Sequence, residues 1–403
     1  MIAAILARVA RRRSERLLSA APREFFLLCA CCRWPAGAAR DQALRDCAHG
    51  EVDWRALQAL IARHRLFGRA REGLAQADIA LPEAFARRLA ANVRAMTRRN
   101  LALAAETARL SGAFEAAKID ALFVKGATLE ARVYRSFSTK HSLDVDILVD
   151  AGQLRAARAL LEGFGYDMHP PAPAFDDAQM QLLIVSRREW EFHHPTQRSI
   201  VELHWRLAYN ERLAQGMDLC APRQMIQLGD SRVATLRDDA LFVYLCVHGA
   251  QHRWSRLKWL ADAVALLATQ SDDAQTLYRK AVAVGAGRCA AQTLLLCERL
   301  FGVALPPELA SELRGGAGAV LEALALEAML ETDAIGFFAR FRRQATALAA
   351  LVLLGEGPGF FRAELRRYLV APEDVALMPL PPNLAWLYIL LRAPLWILRR
   401  LKS

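Results

Sequence analysis

The spacing of apolar residues divides the chain into three parts. In residues 1–117, apolar side chains recur three and four positions apart, as in Trp54, Leu57 and Ile61. This spacing is the period of an amphipathic helix, so we predict helices throughout this part. The same period returns in residues 238–370 and predicts a second helical part. The stretch between them follows a different pattern.

The central stretch contains short apolar runs and alternating segments, which predict strands. Two longer segments between them have the helical period, and the second is closed by Gly163 and Gly165. Pro195–Arg198 joins the last two strands and predicts a hairpin. The predicted strands are Ile119–Val124, Leu143–Val149, Val185–His194 and Ser199–Trp205, and the predicted helices are Ala127–Tyr134 and Gln153–Gly163.

These elements predict an α+β fold, with a small mixed-sheet core flanked by N- and C-terminal helical regions. The 403 residues are enough for two or three domains. We expect an N-terminal helical region at 1–117, an α/β core at 118–206, a C-terminal helical domain at 207–370, and an apolar and basic C-terminal segment at 371–403.

Basic residues concentrate at the two ends of the chain, whose net charge is +11. Residues 1–23 hold six Arg and one Glu, and residues 385–403 hold three Arg and one Lys without an acid. The nearly neutral middle argues against a broad nucleic-acid groove. Basic ends favour peripheral contact with an anionic membrane or an acidic partner. No apolar run approaches the ~18 residues that span a bilayer.

The eight cysteines stand mostly in apolar helical contexts. In residues 1–13 the apolar stretch precedes the arginines, the reverse of a secretory signal. We therefore expect reduced thiols in a cytoplasmic protein, with the inner face of the membrane as a peripheral site. Cys29, Cys32, Cys47 and His49 offer a zinc-site alternative, but packing as small apolar residues is the favoured interpretation.

The sequence Asp144-Val145-Asp146 lies in a predicted strand. Alternation places both carboxylates on one side and Leu143, Val145 and Ile147 on the other. Two adjacent carboxylates repel each other unless a cation lies between them, and Mg²⁺ prefers such oxygen ligands together with substrate phosphates. An isolated Asp-x-Asp is more often a solvated pair, so the inference depends on the neighbouring motifs.

Two further pieces of sequence complete a candidate site. Lys125-Gly126-Ala127-Thr128 joins a strand to a helix, a turn that allows phosphate to approach the backbone. Glu202, on a later strand, offers a third carboxylate, with Glu191 as a competing candidate. His204 shares the predicted face of Glu202, as a structural hydrogen-bonder or a participant.

Together these residues resemble a family of nucleotidyltransferases in the DNA polymerase β-like superfamily. The resemblance covers roughly residues 20–300. Its most specific parts are the Asp-x-Asp context and the sequence Glu-Leu-His-Trp. It includes Lys125, Gly126, Leu129, Lys140, Asp144, Asp146 and Glu202–Trp205 in the core, Asp53, Trp54 and His64 before it, and His248, His252, Trp254, Leu257 and Asp262 after it.

The resemblance implies transfer of a nucleoside monophosphate from a nucleoside triphosphate, with Mg²⁺ or Mn²⁺ as cofactor. It implies that Asp144, Asp146 and Glu202 are the catalytic, metal-binding acids. The implied nucleotide-binding residues are Lys125, Gly126, Ala127, Thr128 and Lys140, and the implied accessory residues are His204, His248, His252 and Asp262. Ala127 stands where many members have Ser, so we expect Thr128 to supply the phosphate-binding hydroxyl.

The acceptor and the activity remain open at this point. A protein side chain, a small molecule and an RNA end are all compatible acceptors. A catalytically inactive scaffold in polysaccharide or peptide modification, or a toxin acting on RNA or protein, are the alternatives. The pair His248 and His252 does not indicate a zinc protease, because Gly249 occupies the place of the required Glu. We expect Asp262 to pair with Lys258 one turn away.

Overall fold

A computed structural model describes residues 2–169, 180, 181, 184, 187–331, 337–369, 374, 377, 378, 380–388, 390–392, 394, 395 and 398. The first part is helical, as predicted. Its helices are α1 (Ile2–Ser19), α2 (Arg23–Cys32), α3 (Ala38–Ala48), α4 (Trp54–His64), α5 (Phe67–Gln76) and α6 (Glu83–Ala116). Asp53 begins α4 by accepting the backbone N–H groups of Arg55 and Ala56, each at 2.9 Å.

A five-stranded mixed sheet forms the centre, in the order β1-β2-β5-β4-β3. Strands β2 and β5 are parallel and the other neighbours are antiparallel. The predicted hairpin is confirmed as β4 and β5, and the α+β class is confirmed with it. The strands are β1 (Ala121–Phe123), β2 (Val145–Val149), β3 (Asp167–His169), β4 (Glu189–His193) and β5 (Ile200–His204). The core helices are α7 (Ala127–Leu129), continued by a π-helical turn (Glu130–Tyr134), and α8 (Leu154–Gly163), which follows a 3-10 turn (Ala151–Gln153).

The region after the core begins with a second, two-stranded sheet that the sequence did not predict. Strands β6 (Arg223–Leu228) and β7 (Ser231–Leu236) form an antiparallel hairpin. Ile226, Leu228 and Val233 pack into the same apolar core as the central sheet. This hairpin lies at the start of the stretch 207–370 that we expected to be a C-terminal helical domain. Alternation in β6 is weak because its exposed positions include Met225.

The helical period beyond Asp238 is confirmed. Helix α9 is enclosed on nearly all sides, since residues 239–250 are all buried. The described helices are α9 (Asp238–Gln251), α10 (Leu257–Thr269), α11 (Ala274–Ala283), α12 (Gly287–Phe301), α13 (Pro307–Leu313), α14 (Ala317–Leu330), α15 (Phe337–Val352) and α16 (Gly357–Leu369), followed by a 3-10 turn at Pro382–Leu387.

The two helical parts of the chain pack against each other. Residues of α2, α4 and α5 share one apolar core with Trp254, Leu257 and Leu260. A buried hydrogen bond links the same surfaces: the backbone N–H of Leu257 donates to Nδ1 of His64 at 3.1 Å. The end of α4 is thereby fixed beside the start of α10. The four-part division of the chain remains a prediction.

Helix α1 lies on α14 through Ala7 and Ala10, which are buried. Its outer face exposes apolar Ile5, Leu6 and Val9. The arginines Arg8, Arg11 and Arg12 are exposed on the same helix. Among the residues that the structure describes, no helix is long and apolar enough to cross a membrane.

The C-terminal segment is described only in part. Tyr388 and Leu395 are buried in a small apolar cluster, and Leu380 and Leu391 pack against it. Trp386 and Leu390 are exposed. Trp396 and the basic residues Arg399, Arg400 and Lys402 lie outside the described residues.

The cysteines at 29 and 32 are packed as apolar residues. Both are buried, and burial raises the pKa of Cys32 to about 12 and that of Cys29 well above its usual value. Within the described parts of the chain, no cysteine belongs to a group of three candidate metal ligands. The packing interpretation is therefore favoured over zinc.

Candidate active site

Strand register brings together two of the predicted acids. Asp146 on β2 and Glu202 on β5 are directly paired positions of parallel strands, so their side chains leave the same face of the sheet. His204 follows on that face of β5. Asp146 is buried and Glu202 is partly buried. The predicted adjacency of these two carboxylates therefore follows from the strand pairing.

Two cationic side chains neutralise this pair. The ammonium of Lys125 lies 2.8 Å from Oδ1 of Asp146 and 3.9 Å from Oε2 of Glu202. Nε2 of His204 lies 3.1 Å from Oδ1 of Asp146 and 3.4 Å from Oε2 of Glu202, and its Nδ1 lies 3.1 Å from Oε2 of Glu189. The three carboxylates are thus held around two positive groups.

Protonation follows from these contacts. Burial opposes the charge on Lys125, but Asp146, with Tyr244 and Glu202, outweighs it and raises the pKa of Lys125 well above its usual value. Burial likewise opposes the imidazolium of His204. Its hydrogen bonds to Asp146 and Glu189 outweigh burial and raise the pKa of His204. Both side chains are therefore cationic at neutral pH.

The carboxylates of Asp146 and Glu202 fit a divalent metal ion, with the imidazolium of His204 beside them. Single ligand atoms of Asp146, Glu202 and His204 all lie within 4.8 Å of one another. Oδ2 of Asp146 is buried and has no hydrogen-bond partner among the described residues. An unsatisfied buried carboxylate oxygen is unfavourable, and a hard cation would satisfy it.

Asp144 is placed differently from Asp146. It immediately precedes β2, is partly exposed, and lines the cavity beside the acid cluster without belonging to it. Gly126 lies against it: a Cβ at Gly126 would be 3.3 Å from the Asp144 carbonyl oxygen. Gly126 also has a φ of +66°, which favours glycine. The predicted turn is therefore present, and α7 begins after Gly126, at Ala127.

The expected phosphate-binding role of Thr128 does not match its position. Its hydroxyl oxygen lies 3.0 Å from the carbonyl oxygens of both Phe123 and Lys125, and the residue is buried. Neither Ala127 nor Thr128 lines the cavity. The Thr128 hydroxyl is engaged in holding the strand-to-helix turn, so Lys125 and Gly126 are the residues of this loop that face the cavity.

Lys140 and Asp262 line the cavity as an ion pair, 3.1 Å apart. Asp262 also accepts the hydroxyl of Tyr134 at 2.9 Å. The expectation that Asp262 pairs with Lys258 is therefore wrong. Lys258 instead lies 3.4 Å from the carbonyl oxygen of His141. Sequence spacing suggested a contact along the helix, but Asp262 on α10 instead contacts Lys140, which precedes β2.

His248 and His252 line the same cavity with Trp259. The rings of His252 and Trp259 stack, with centroids 5.0 Å apart. Burial lowers the pKa of His248 well below its usual value and that of His252 to about 4, with nearby Lys125 and Arg188 contributing to both. Both imidazoles are therefore neutral at pH 7.

Trp254 has a packing role. It is fully buried, and its indole N–H donates to Oε1 of Gln292 at 3.2 Å. A Cβ at Gly249 would lie 2.2 Å from the Trp254 ring. The position between the two histidines therefore has no room for the glutamate of a zinc protease.

Glu191 is directly opposite Glu202 in the β4–β5 pairing. Its carboxylate pairs with His193, its side chain is 42% exposed, and it does not line the cavity. Glu189, two positions earlier, occupies the site instead and pairs with Arg188 at 2.8 Å. Burial opposes the charge on Glu189, but Arg188 and His204 hold its pKa well below the usual range.

The cavity encloses about 160 Å³ between the sheet, the α4–α5 corner and helices α9 and α10. It contains residues that sequence reasoning missed. Period-two spacing from Glu191 on the hairpin was a signal for Glu189. The other missed residues, named in the next sentence, are scattered through the chain and belong to no local motif. The missed residues are Arg65, Ser142, Arg188, Glu189, Tyr209, Leu245, Lys258 and Trp259.

Comparison with known proteins identifies one family. A family model described as "Uncharacterised nucleotidyltransferase" matches residues 50–302, which include the acid cluster, the Lys125 loop and both cavity-lining histidines. No curated protein matches the chain, and no solved structure does.

Proposed function

Since the chain belongs to the family of uncharacterised nucleotidyltransferases, we propose that it transfers a nucleoside monophosphate from a nucleoside triphosphate to an acceptor. Asp144, Asp146 and Glu202 are the proposed catalytic acids. The observation that supports this most is the paired position of Asp146 and Glu202 on β2 and β5, with one buried carboxylate oxygen unsatisfied.

Asp146 and Glu202 are the proposed metal ligands, with Asp144 contributing from the cavity lining, while the imidazolium of His204 holds Asp146 and Glu189 in place. A bound Mg²⁺ or Mn²⁺ would neutralise phosphate charge and polarise the phosphoryl oxygens. Burial raises the pKa of Glu202, but Lys125 and His204 outweigh this and lower it. Glu202 is therefore ionised at neutral pH, as a ligand or a proton acceptor must be.

The remaining cavity residues have binding roles in this proposal. Lys125 keeps Asp146 and Glu202 together and faces the cavity, where its ammonium can meet a phosphate oxygen. Gly126 allows the backbone to approach the nucleotide closely. Lys140 contributes positive charge while its partner Asp262 fixes its position. His248 and His252 add neutral imidazoles to the lining of the cavity.

The acceptor class is a protein side chain, a small molecule or an RNA end. A long nucleic acid is disfavoured because the body of the chain carries little net charge between its basic ends. The test is a screen of the four nucleoside triphosphates with Mg²⁺ or Mn²⁺ for binding and pyrophosphate release. We expect both in the wild type and neither in Asp146→Asn, with Glu191→Gln as the matched acidic control.

A non-enzymatic scaffold is the second candidate. The Asp146 side chain has 0% exposure and is already neutralised by Lys125 and His204, which is how a disused metal site would be stabilised. In that case the folded wild type would bind neither Mn²⁺ nor any nucleoside triphosphate. Binding of either ligand through Asp146 would rule the scaffold out.

We also propose that the basic N-terminal helix α1 makes a peripheral contact with the membrane. The outer face of α1 combines exposed Ile5, Leu6 and Val9 with exposed arginines. Apolar and basic side chains on one exposed helix suit the interface of an anionic bilayer. The basic C-terminal residues were expected to contribute as well.

A further inference from the structure

The positive charges that line the active-site cavity fall into two groups. Three of the five cations are each paired with a carboxylate: Lys125 with Asp146 at 2.8 Å, Lys140 with Asp262 at 3.1 Å and Arg188 with Glu189 at 2.8 Å. The other two are Arg65 and Lys258. Neither has a carboxylate within ion-pair distance among the residues that the structure describes.

The fold holds these two cations side by side. The His64 imidazole accepts the backbone N–H of Leu257, and both residues are fully buried. Arg65 and Lys258 are the next residues on the two chain segments. Arg65 ends α4 in the left-handed conformation, with a φ of +56°, which is uncommon for a residue with a Cβ. The end of α4 thus places Arg65 in the lining of the cavity.

This arrangement is unfavourable while the cavity lacks an anion. Burial, together with Lys140 and Arg65 and against the opposing effect of Asp144, lowers the pKa of Lys258 to about 7. Burial and Arg256 also lower the pKa of Arg65. Two partly buried like charges repel each other, and a polyanion between them would remove that repulsion.

We propose that Arg65 and Lys258 bind the β- and γ-phosphates of the nucleoside triphosphate, the half that leaves as pyrophosphate. This assignment rests on the proposed nucleotidyltransferase function. A guanidinium and an ammonium both recognise phosphate oxygens, and both of these line the same cavity as Asp144. The cavity of about 160 Å³ is smaller than the ~300–1,000 Å³ of pockets that enclose drug-sized ligands, so it suits the phosphates rather than the whole nucleotide.

The two proposed phosphate-binding side chains come from helical parts of the chain outside the sheet. Arg65 belongs to the N-terminal helices and Lys258 to the helices after the core, and the His64–Leu257 hydrogen bond joins them. Lys125 and Gly126, from the loop before α7, line the same cavity. The polyphosphate would therefore be held by three separate parts of the chain, which together select a triphosphate over a monophosphate.

The test is calorimetric titration of three ligands in the presence of Mg²⁺. The ligands are the nucleoside triphosphate that the wild type binds best, the matching monophosphate and inorganic pyrophosphate. The variants are Lys258→Met, Arg65→Gln and the charge-retaining Lys258→Arg. Arg94→Gln is the control, because Arg94 is exposed on α6 and does not line the cavity.

We expect Lys258→Met and Arg65→Gln to weaken triphosphate and pyrophosphate binding by at least about tenfold each, since each removes a charge-assisted hydrogen bond. Monophosphate affinity should change by less than about threefold. Lys258→Arg should retain most of the affinity. Lys258→Met should also keep or raise the melting temperature, whereas a merely structural lysine would lower it.

Three results would overturn the assignment, and each can be distinguished from the others. A wild type that binds triphosphate, with Lys258→Met and Arg65→Gln binding it equally well, removes the phosphate contact and leaves the proposed function standing. A folded wild type that binds none of the four triphosphates and no pyrophosphate removes both. Equal losses for monophosphate and triphosphate would place the two cations elsewhere on the ligand and so also contradict the assignment.

Discussion

For Asp146, the sequence predicted the position on a strand but not the ion-pair partners. Alternation around Val145 and Ile147 placed its carboxylate on the polar face of a strand, and the structure has that strand. The sequence could not show that Lys125 and His204 already neutralise it, because those residues come from other segments and meet it only through strand pairing. Two neighbouring acids therefore do not simply repel each other here.

This neutralisation changes the expected effect of removing the acid. Asp146→Asn should lower the free energy of unfolding by on the order of 3 kcal/mol, because it leaves the buried ammonium of Lys125 and the imidazolium of His204 short of a partner. If Asp144 and Asp146 mainly repelled each other, the same substitution would instead raise the free energy of unfolding. Chemical denaturation measures the difference.

Asp144→Asn is the matched control for that measurement. Asp144 is partly exposed and forms no ion pair within the described part of the chain. Its replacement should change the free energy of unfolding by less than about 1 kcal/mol. Equal losses for the two variants would show that Asp146 is not the electrostatic centre of the cluster.

Lys258 makes stability depend on pH in a defined direction. Its pKa is lowered to about 7 by burial, with Lys140, Arg65 and Lys125 acting with it and Asp144 against it. An unfolded lysine keeps its proton up to about pH 10. Between pH 7 and 10 the unfolded chain therefore binds more protons at this residue, so its contribution to stability rises with pH.

The prediction compares Lys258→Met with the wild type. The variant should be the more stable protein at pH 6, where the buried ammonium is unfavourable, and its advantage should shrink steadily as the pH rises to 9. Denaturant titrations at four pH values across this range measure the gap. A gap that stays constant with pH would mean that Lys258 keeps an ordinary pKa.

At the scale of elements, the sequence predicted those helices, strands and turns that a local pattern determines. The hairpin of β4 and β5 and the turn at Gly126 were found from alternation and from glycine. Hairpin β6–β7 was missed because the exposed apolar residue Met225 weakens the alternation in β6. The placement of Arg65 beside Lys258 depends on packing between helices far apart in sequence, which no local period encodes.

Gly126→Ala tests the Lys125 loop. The positive φ and the nearby carbonyl oxygen of Asp144 should make the alanine variant about 1–2 kcal/mol less stable and weaken nucleotide binding. Gly112→Ala is the control, since Gly112 is exposed within α6 and a Cβ there meets nothing within 4 Å.

The Gly112 control should be stabilised by about 0.5–1 kcal/mol, because alanine is the better helix former. Both free energies come from the same denaturation series. If Gly126→Ala proved as harmless as Gly112→Ala, the loop would not require glycine.

At the scale of the whole molecule, the helical parts on either side of the core meet each other and close one side of the cavity. The family resemblance had associated His64 with the N-terminal helices and Leu257 with the helix after the core. The structure joins the two by a hydrogen bond. The parts of the chain that surround the site thus became known only from the structure, although strands β2 and β5 were predicted.

The membrane proposal belongs to this scale. Replacing both Leu6 and Val9 with serine should reduce flotation with anionic liposomes several-fold, because these side chains form the exposed apolar face of α1. Leu101→Ser is the control, being a similarly exposed apolar residue on α6. Equal flotation of all three proteins, or none, would remove α1 as a membrane contact.

The central claim is that Asp146 and Glu202 form a metal site. Electron paramagnetic resonance of Mn²⁺ titrated into the protein with a nucleoside triphosphate tests it most directly, because it reports the bound ion without needing the acceptor. We predict tight Mn²⁺ binding by the wild type and by Glu191→Gln, and its loss in Asp146→Asn and Glu202→Gln. Undiminished Mn²⁺ binding by Asp146→Asn and Glu202→Gln, both still folded, would contradict the account.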